Sequence, residues 1–94
     1  MPSTYELYRL NKLLSEMPLT ARNQFIADTI SWLETEERDR CTRPEELQAV
    51  QQFGNYLKTG MQLPRIEVAW THQIFIDHKN NPYFIRFLKR SLPK

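Results

Sequence analysis

The chain has 94 residues, which suits one domain and leaves no room for a second, so we expect a single domain over residues 1–94. Hydrophobic residues make up 40% and charged residues 26%, as in ordinary globular chains, and no apolar run approaches the roughly 18 residues of a membrane span. The one cysteine, Cys41, excludes an intramolecular disulfide and a cysteine-based zinc site. With no secretory signal visible, we expect a cytoplasmic protein that does not bind membranes.

A first helix is predicted at the N-terminal end. Ser3 followed three residues later by Glu6 forms a capping box, the pairing of side chain and backbone that starts many helices. Leucines then recur at helical spacing until Pro18 stops the pattern. This pattern predicts a helix over about residues 3–17.

Two further helices are predicted before residue 61. Thr20 is the expected cap of a helix over about residues 20–40, and we expect its last charged turns, which include Glu37, to be solvated. A capping threonine, a proline and a glutamate then predict a third helix over about residues 44–59. Gly60 suits the left-handed conformation just past that helix end.

After this point the hydrophobic period changes from that of a helix to that of a strand. Between residues 66 and 77 one parity holds six residues, five of them large and apolar: Ile66, Val68, Trp70, His72, Ile74 and Ile76. A turn-forming stretch follows, and residues 83–90 can supply a second strand. The prediction is an α+β fold, mainly helical, with three N-terminal helices followed by a C-terminal β-hairpin over residues 66–90.

A helical alternative stays open for the same region. Asn81 can cap a helix that has Pro82 as its first residue and Lys89 and Arg90 near the negative end of its dipole. The fold would then be an all-α bundle of four to five helices. Under the hairpin prediction, His72 is partly buried and His78 is solvated in the turn.

The predicted core is drawn from the inward-facing positions of the helices and of the first strand. Its members are Leu10, Leu14, Phe25, Ile26, Ile30, Leu33, Leu47, Val50, Leu57, Val68, Trp70 and Ile74.

The basic residues are concentrated in the last third of the chain. Residues 1–60 carry seven Lys and Arg against nine Asp and Glu, whereas residues 61–94 carry six against two. Aromatic and basic side chains also alternate there, which suits an acidic or phosphate-bearing partner. The predicted partner-binding residues are Lys79, Tyr83, Phe84, Arg86, Lys89 and Arg90. We therefore expect a small non-enzymatic adaptor or inhibitor that binds a partner protein, such as one in a complex that handles nucleic acid.

Two other functions compete with this prediction. Three helices followed by a hairpin resemble a winged-helix DNA-binding regulator in element order, although the predicted third helix carries Glu45 and Glu46 where phosphates would approach. A small metal-independent ribonuclease would use His72 with Tyr83 and the C-terminal cations, among them Arg86. We expect no cofactor, no metal and no catalytic residues, since glycine-rich loops and paired acids are missing from the sequence.

Overall fold

The structure is a computed structural model that describes residues 3–92, and these residues fold into five helices. In chain order the helices are α1 Thr4–Glu16, α2 Leu19–Trp32, α3 Pro44–Met61, α4 Val68–His78 and α5 Pro82–Ser91. A π-helical turn, Leu33–Glu37, continues α2 directly. α2 packs along α3, α1 packs on α4 and α5, and α3 also contacts α4, α5 and the π-helical turn. The third helix therefore lies at the centre of the bundle.

The three predicted N-terminal helices are present. The capping box is formed at α1, where Ser3 Oγ accepts a hydrogen bond from Glu6 N at 3.3 Å and Glu6 Oε1 accepts one from Ser3 N at 3.0 Å. α2 begins at Leu19 without a side-chain cap, so Thr20 is not the cap. α3 begins at Pro44, whose fixed φ suits the first turn of a helix.

The predicted C-terminal hairpin is wrong. Residues 3–92 contain no strand, and α4 and α5 occupy the two segments that were expected to pair, so the all-α alternative fits. α5 starts as that alternative requires, because Asn81 Oδ1 accepts a hydrogen bond from Tyr83 N at 2.9 Å and Pro82 is the first helical residue. The side-chain amide of Asn81 also donates to the Ala49 carbonyl at 3.1 Å, which ties the start of α5 to α3.

The buried stripe of α4 has helical spacing and includes polar residues. Thr71, Ile74 and His78 are buried, three and four positions apart. Thr71 is satisfied there, because its hydroxyl donates to Asn11 Oδ1 on α1 at 2.9 Å. The two histidines are therefore placed opposite to prediction: His78 is buried and His72 is exposed.

Most of the predicted core is buried, with exceptions on α3 and α4. Leu47 and Val68 are exposed, at 39% and 50%, and Phe25 and Trp70 are only partly buried, so these four predictions are wrong or incomplete. The centre of the core is aromatic. The ring of Phe53 on α3 meets those of three other residues edge-on, with centroids 5.5 to 5.6 Å apart: Phe84, Phe87 and His78.

Gly60 lies inside α3 rather than just past its end, and the glycines of the described chain have no positive φ. Its small size matters for packing. A Cβ atom at Gly60 would lie 2.8 Å from Cζ2 of Trp70, closer than two non-bonded carbon atoms normally approach. Trp70 is held in place by a 3.0 Å hydrogen bond from its Nε1 to Thr59 Oγ1, and its backbone carbonyl accepts one from Tyr56.

Within residues 3–92, the helices are all too short or too polar to cross a lipid bilayer.

Candidate binding surface

Two of the six predicted partner-binding residues are buried in the structure. Phe84 is completely buried and packs edge-on against Phe53 and Phe75, and Tyr83 is nearly buried, with its hydroxyl beside Cys41. Rings in these positions contribute to the core and cannot contact a partner unless α5 moves. For these two aromatic residues the geometry therefore favours a packing role over the predicted contact role.

Two of the predicted cations are held by neighbouring side chains. Arg86 Nη1 donates to both carboxylate oxygens of Glu37, at 3.0 and 2.8 Å. The guanidinium of Arg90 lies over the ring of Trp32, 4.5 Å from its centroid. Both contacts tie α5 to the end of α2 and to the π-helical turn. Glu37 is buried in this ion pair, contrary to prediction, whereas the other charged residues of the run are exposed as predicted.

A small polar cluster surrounds this ion pair. Tyr83 Oη and Cys41 Sγ are 3.3 Å apart, and Cys41 Sγ also donates to the Glu37 carbonyl at 3.2 Å. Burial, followed by the contact with Cys41, raises the pKa of Tyr83 to about 12. The phenol therefore stays protonated at neutral pH, and the cluster fixes α5 without offering a base.

Lys79 and Lys89 remain exposed, but they lie at opposite ends of α5. Lys79 follows α4, and Lys89 is in the last turn of α5. The helix between them has 10 residues and is thus about 15 Å long. The structure therefore does not gather the six predicted residues into one surface.

Exposed aromatic residues do meet basic residues on the neighbouring helix α1. Tyr5 and Tyr8 are 70% and 63% exposed, whereas tyrosine is on average intermediate in burial. They are three positions apart on one helical face, with Arg9 and Lys12 beside them. We call the surface formed by Tyr5, Tyr8, Arg9, Lys12 and Lys89 the α1–α5 surface.

Two adjoining depressions define the α1–α5 surface. One, of about 510 Å³, is lined by both tyrosines together with Arg9 and Lys12, and the other, of about 590 Å³, brings in Lys89. They share Tyr5, Arg9 and Leu92. The guanidinium of Arg9 lies 5.6 Å from the centroid of the Tyr5 ring, which orders both side chains at the junction.

The α1 half of this surface was missed from the sequence, although a signal for it exists. Leu7, Leu10 and Leu14 form the buried stripe of α1, so Tyr5 and Tyr8 fall outside it. Large aromatic side chains outside a core stripe, with cations at the adjacent positions, are candidate contacts. The link to Lys89 depends on the packing of α5 against α1, which the sequence does not indicate.

The residues of the ribonuclease hypothesis are not brought together. His72 is exposed on α4, whereas the Tyr83 hydroxyl contacts Cys41 inside the core and Arg86 is engaged by Glu37. The winged-helix hypothesis required the hairpin that the structure replaces with α4 and α5. Neither arrangement supplies a site for its reaction or its DNA contact.

Comparison of the chain with protein-family models, with curated proteins and with solved structures gives no match. The surfaces of the molecule itself are therefore the only guide to its function.

Proposed function

We propose that the protein is a non-enzymatic binding protein whose α1–α5 surface binds an acidic segment of a partner protein. The observation that carries the proposal is the exposure of Tyr5 and Tyr8 beside three basic residues. Tyrosine and arginine are the residue types enriched among the energetically dominant contacts of protein interfaces. The proposed surface differs from the predicted one in that its aromatic residues come from α1 instead of α5.

Charge supports an acidic partner. Arg9, Lys12 and Lys89 line the two depressions, against two carboxylates, Glu6 and Glu16. The surface therefore presents more positive than negative charge. Opposite charges on a partner would increase the association rate and select against basic partners.

Nucleic acid is the alternative partner, and the number of cations argues against it. About six to ten phosphate contacts give the steep salt dependence of strong backbone binding, and the α1–α5 surface offers only three basic side chains. Stacking of bases on the two tyrosines would be the remaining contribution. For a single strand, three phosphate contacts give a log–log salt slope of only about −2.

The test is an affinity capture from cell extract, with and without nuclease, using three forms of the protein. The three forms are the natural chain, the double variant Tyr5→Ala/Tyr8→Ala, and a control double variant, Val68→Ala/Ile76→Ala. The control likewise truncates two exposed side chains, but on α4. Circular dichroism must show that all three are folded.

We expect a protein that survives nuclease treatment to be captured by the natural chain and the control, and to be lost with the tyrosine variant. Loss of one true anchor lowers affinity by about tenfold or more. Equal capture by all three forms would remove the α1–α5 surface from consideration. Capture that nuclease abolishes, with the salt slope given above, would select the nucleic-acid alternative.

A further inference from the structure

Another opening lies between the π-helical turn and α3. It is a groove of about 320 Å³, within the size range of small-molecule sites. Leu33, Val50 and Gly54 form its apolar part, and Arg38 and Lys58 are among the polar residues at its rim. It shares no residue with the α1–α5 surface.

Gly54 lines this groove, and core packing does not require a glycine at this position. A Cβ atom placed on Gly54 would meet nothing within 4 Å, whereas one on Gly60 would collide with Trp70. Glycine inside a helix costs about 0.5–1 kcal/mol relative to alanine, so Gly54 keeps a hollow open at the expense of stability. The two glycines of α3 therefore differ: packing explains Gly60, and an occupied groove would explain Gly54.

The wall of the groove that faces α3 is the π-helical turn, an irregular form of helix that is often found at binding sites. Leu33 and Glu34, which line the groove, belong to the π-helical turn. π-Helical turns are rare in proteins, and those that occur are often found at functional sites. At the open side Leu47 remains 39% exposed, which extends the apolar lining to the surface.

The rim carries uncompensated positive charge. Arg38 has no carboxylate within ion-pair distance in the part of the chain that the structure describes. Lys58 pairs with Glu34 across the groove at 3.4 Å, with both side chains about half exposed, a geometry that holds weakly. A ligand with an anionic group could pair with Arg38 while its apolar part covers Gly54.

We propose that this groove binds small organic carboxylates that have a compact apolar body. The apolar body lies on Leu33, Val50 and Gly54, and the carboxylate pairs with the Arg38 guanidinium, which can hold two oxygens at once. The side-chain amides of Gln51 and Asn55 line the same groove and can donate to the second oxygen.

The probes are phenylacetate, phenylethanol and phenethylamine, which share an aromatic body and differ in charge. Binding is followed by two-dimensional amide NMR of the folded protein. We expect phenylacetate to shift the amide signals of residues 33–38 and 50–58 saturably, at least tenfold more tightly than phenylethanol, and phenethylamine to shift none. Equal affinity for all three probes, or shifts confined to other residues, would overturn the proposal.

Variants locate the site. Gly54→Leu fills the hollow and should abolish phenylacetate binding in a protein that still gives a dispersed spectrum. Arg38→Gln should weaken phenylacetate to the level of phenylethanol, and Arg40→Gln, a nearby exposed arginine outside the groove, should have no effect. If Gly54→Leu does not fold, Gly54→Ala, which adds one methyl group, replaces it and should weaken binding several-fold. Unchanged affinity in the folded Gly54 and Arg38 variants would refute the assignment.

Discussion

The guanidinium of Arg86 on α5 forms an ion pair with the carboxylate of Glu37, 49 residues earlier in the chain. Its Nη1 donates to both carboxylate oxygens, at 3.0 and 2.8 Å. The Glu37 side chain is 2% exposed and that of Arg86 52%. A buried carboxylate thus depends on one partner that still reaches solvent. The pair fastens the last helix to the π-helical turn, so it belongs to the stability of the fold.

Replacing Arg86 by methionine should destabilise the protein by about 2 kcal/mol. The substitution keeps most of the apolar stem and leaves the Glu37 carboxylate buried without its charge partner. Breaking a fully buried pair costs about 3–5 kcal/mol, and the half-exposed arginine lowers that value because water can reach the vacated position. Urea unfolding measures the loss.

The control for this prediction is Lys58→Met, which breaks the exposed pair with Glu34. The variant should lower the free energy of unfolding by less than about 1 kcal/mol, because exposed ion pairs contribute no more than that. Equal losses in the two variants would show that Glu37 is solvated. For the same reason Arg86 is a poor position at which to test partner binding, since its loss weakens the fold.

The first three helices could be predicted because their signals are local. In α1 the capping box, the leucine stripe and Pro18 lie within a few residues of one another and agree. Pro44 marks the start of α3 in the same way. Signals of this kind depend on backbone sterics and on neighbours three or four positions away, which the sequence shows directly.

The fourth helix was predicted only as the alternative to a strand, because both its buried and its exposed faces mix polar and apolar residues. Thr71 and His78 occupy the buried stripe, while Val68 and Ile76 are 50% and 56% exposed. These exposed apolar residues produce the alternation of apolar and polar positions that is typical of a strand. Thr71 can be buried only because Asn11 of α1 accepts its hydrogen bond, a contact across 60 positions of sequence.

Two isoleucines on α4 distinguish helix from strand in a single measurement. Ile74 is completely buried and Ile76 is exposed, yet a strand would place both on one face. Ile74→Ala should therefore cost about 2–5 kcal/mol of unfolding free energy, and Ile76→Ala less than about 0.5 kcal/mol. Similar losses at the two positions would contradict the helix.

The two glycines of α3 should respond to alanine in opposite directions. Gly54→Ala should stabilise the protein by about 0.5–1 kcal/mol, because the helix gains propensity and the new methyl group meets nothing within 4 Å. Gly60→Ala should destabilise it by about 1–3 kcal/mol, because the new methyl group displaces a Trp70 ring that Thr59 holds. Thermal unfolding of both variants measures this, and a Gly60→Ala protein more stable than the natural one would contradict the close approach.

The candidate surface was only partly predictable for a similar physical reason. The sequence shows which residues are basic, and it does not show that Glu37 and Trp32 take up Arg86 and Arg90. Such pairings join residues far apart in the chain. Of the predicted cations, Lys89 lines a depression together with an exposed tyrosine of α1, Tyr5.

His78 should make stability depend on pH. Its ring is 7% exposed and packs edge-on against Phe53 and Tyr56, and this burial lowers the pKa of His78 below its ordinary value of about 6.5, an effect that neighbouring Asp77 partly opposes. Between the folded and unfolded pKa values the unfolded chain binds more protons than the folded one. Stability is therefore full above about pH 6.5 and falls as the pH drops through the folded pKa.

Replacing each histidine in turn isolates this contribution. Urea unfolding at about pH 7.5 and about pH 5.5, on either side of the unfolded histidine pKa, should show a loss of stability on acidification in the natural protein. His78→Gln removes the titrating ring and should flatten that dependence, although it lowers stability at both values. His72→Gln, at the exposed histidine of the same helix, should leave it unchanged. If His78→Gln retains the full pH dependence, other groups cause it and the buried ring does not resist protonation.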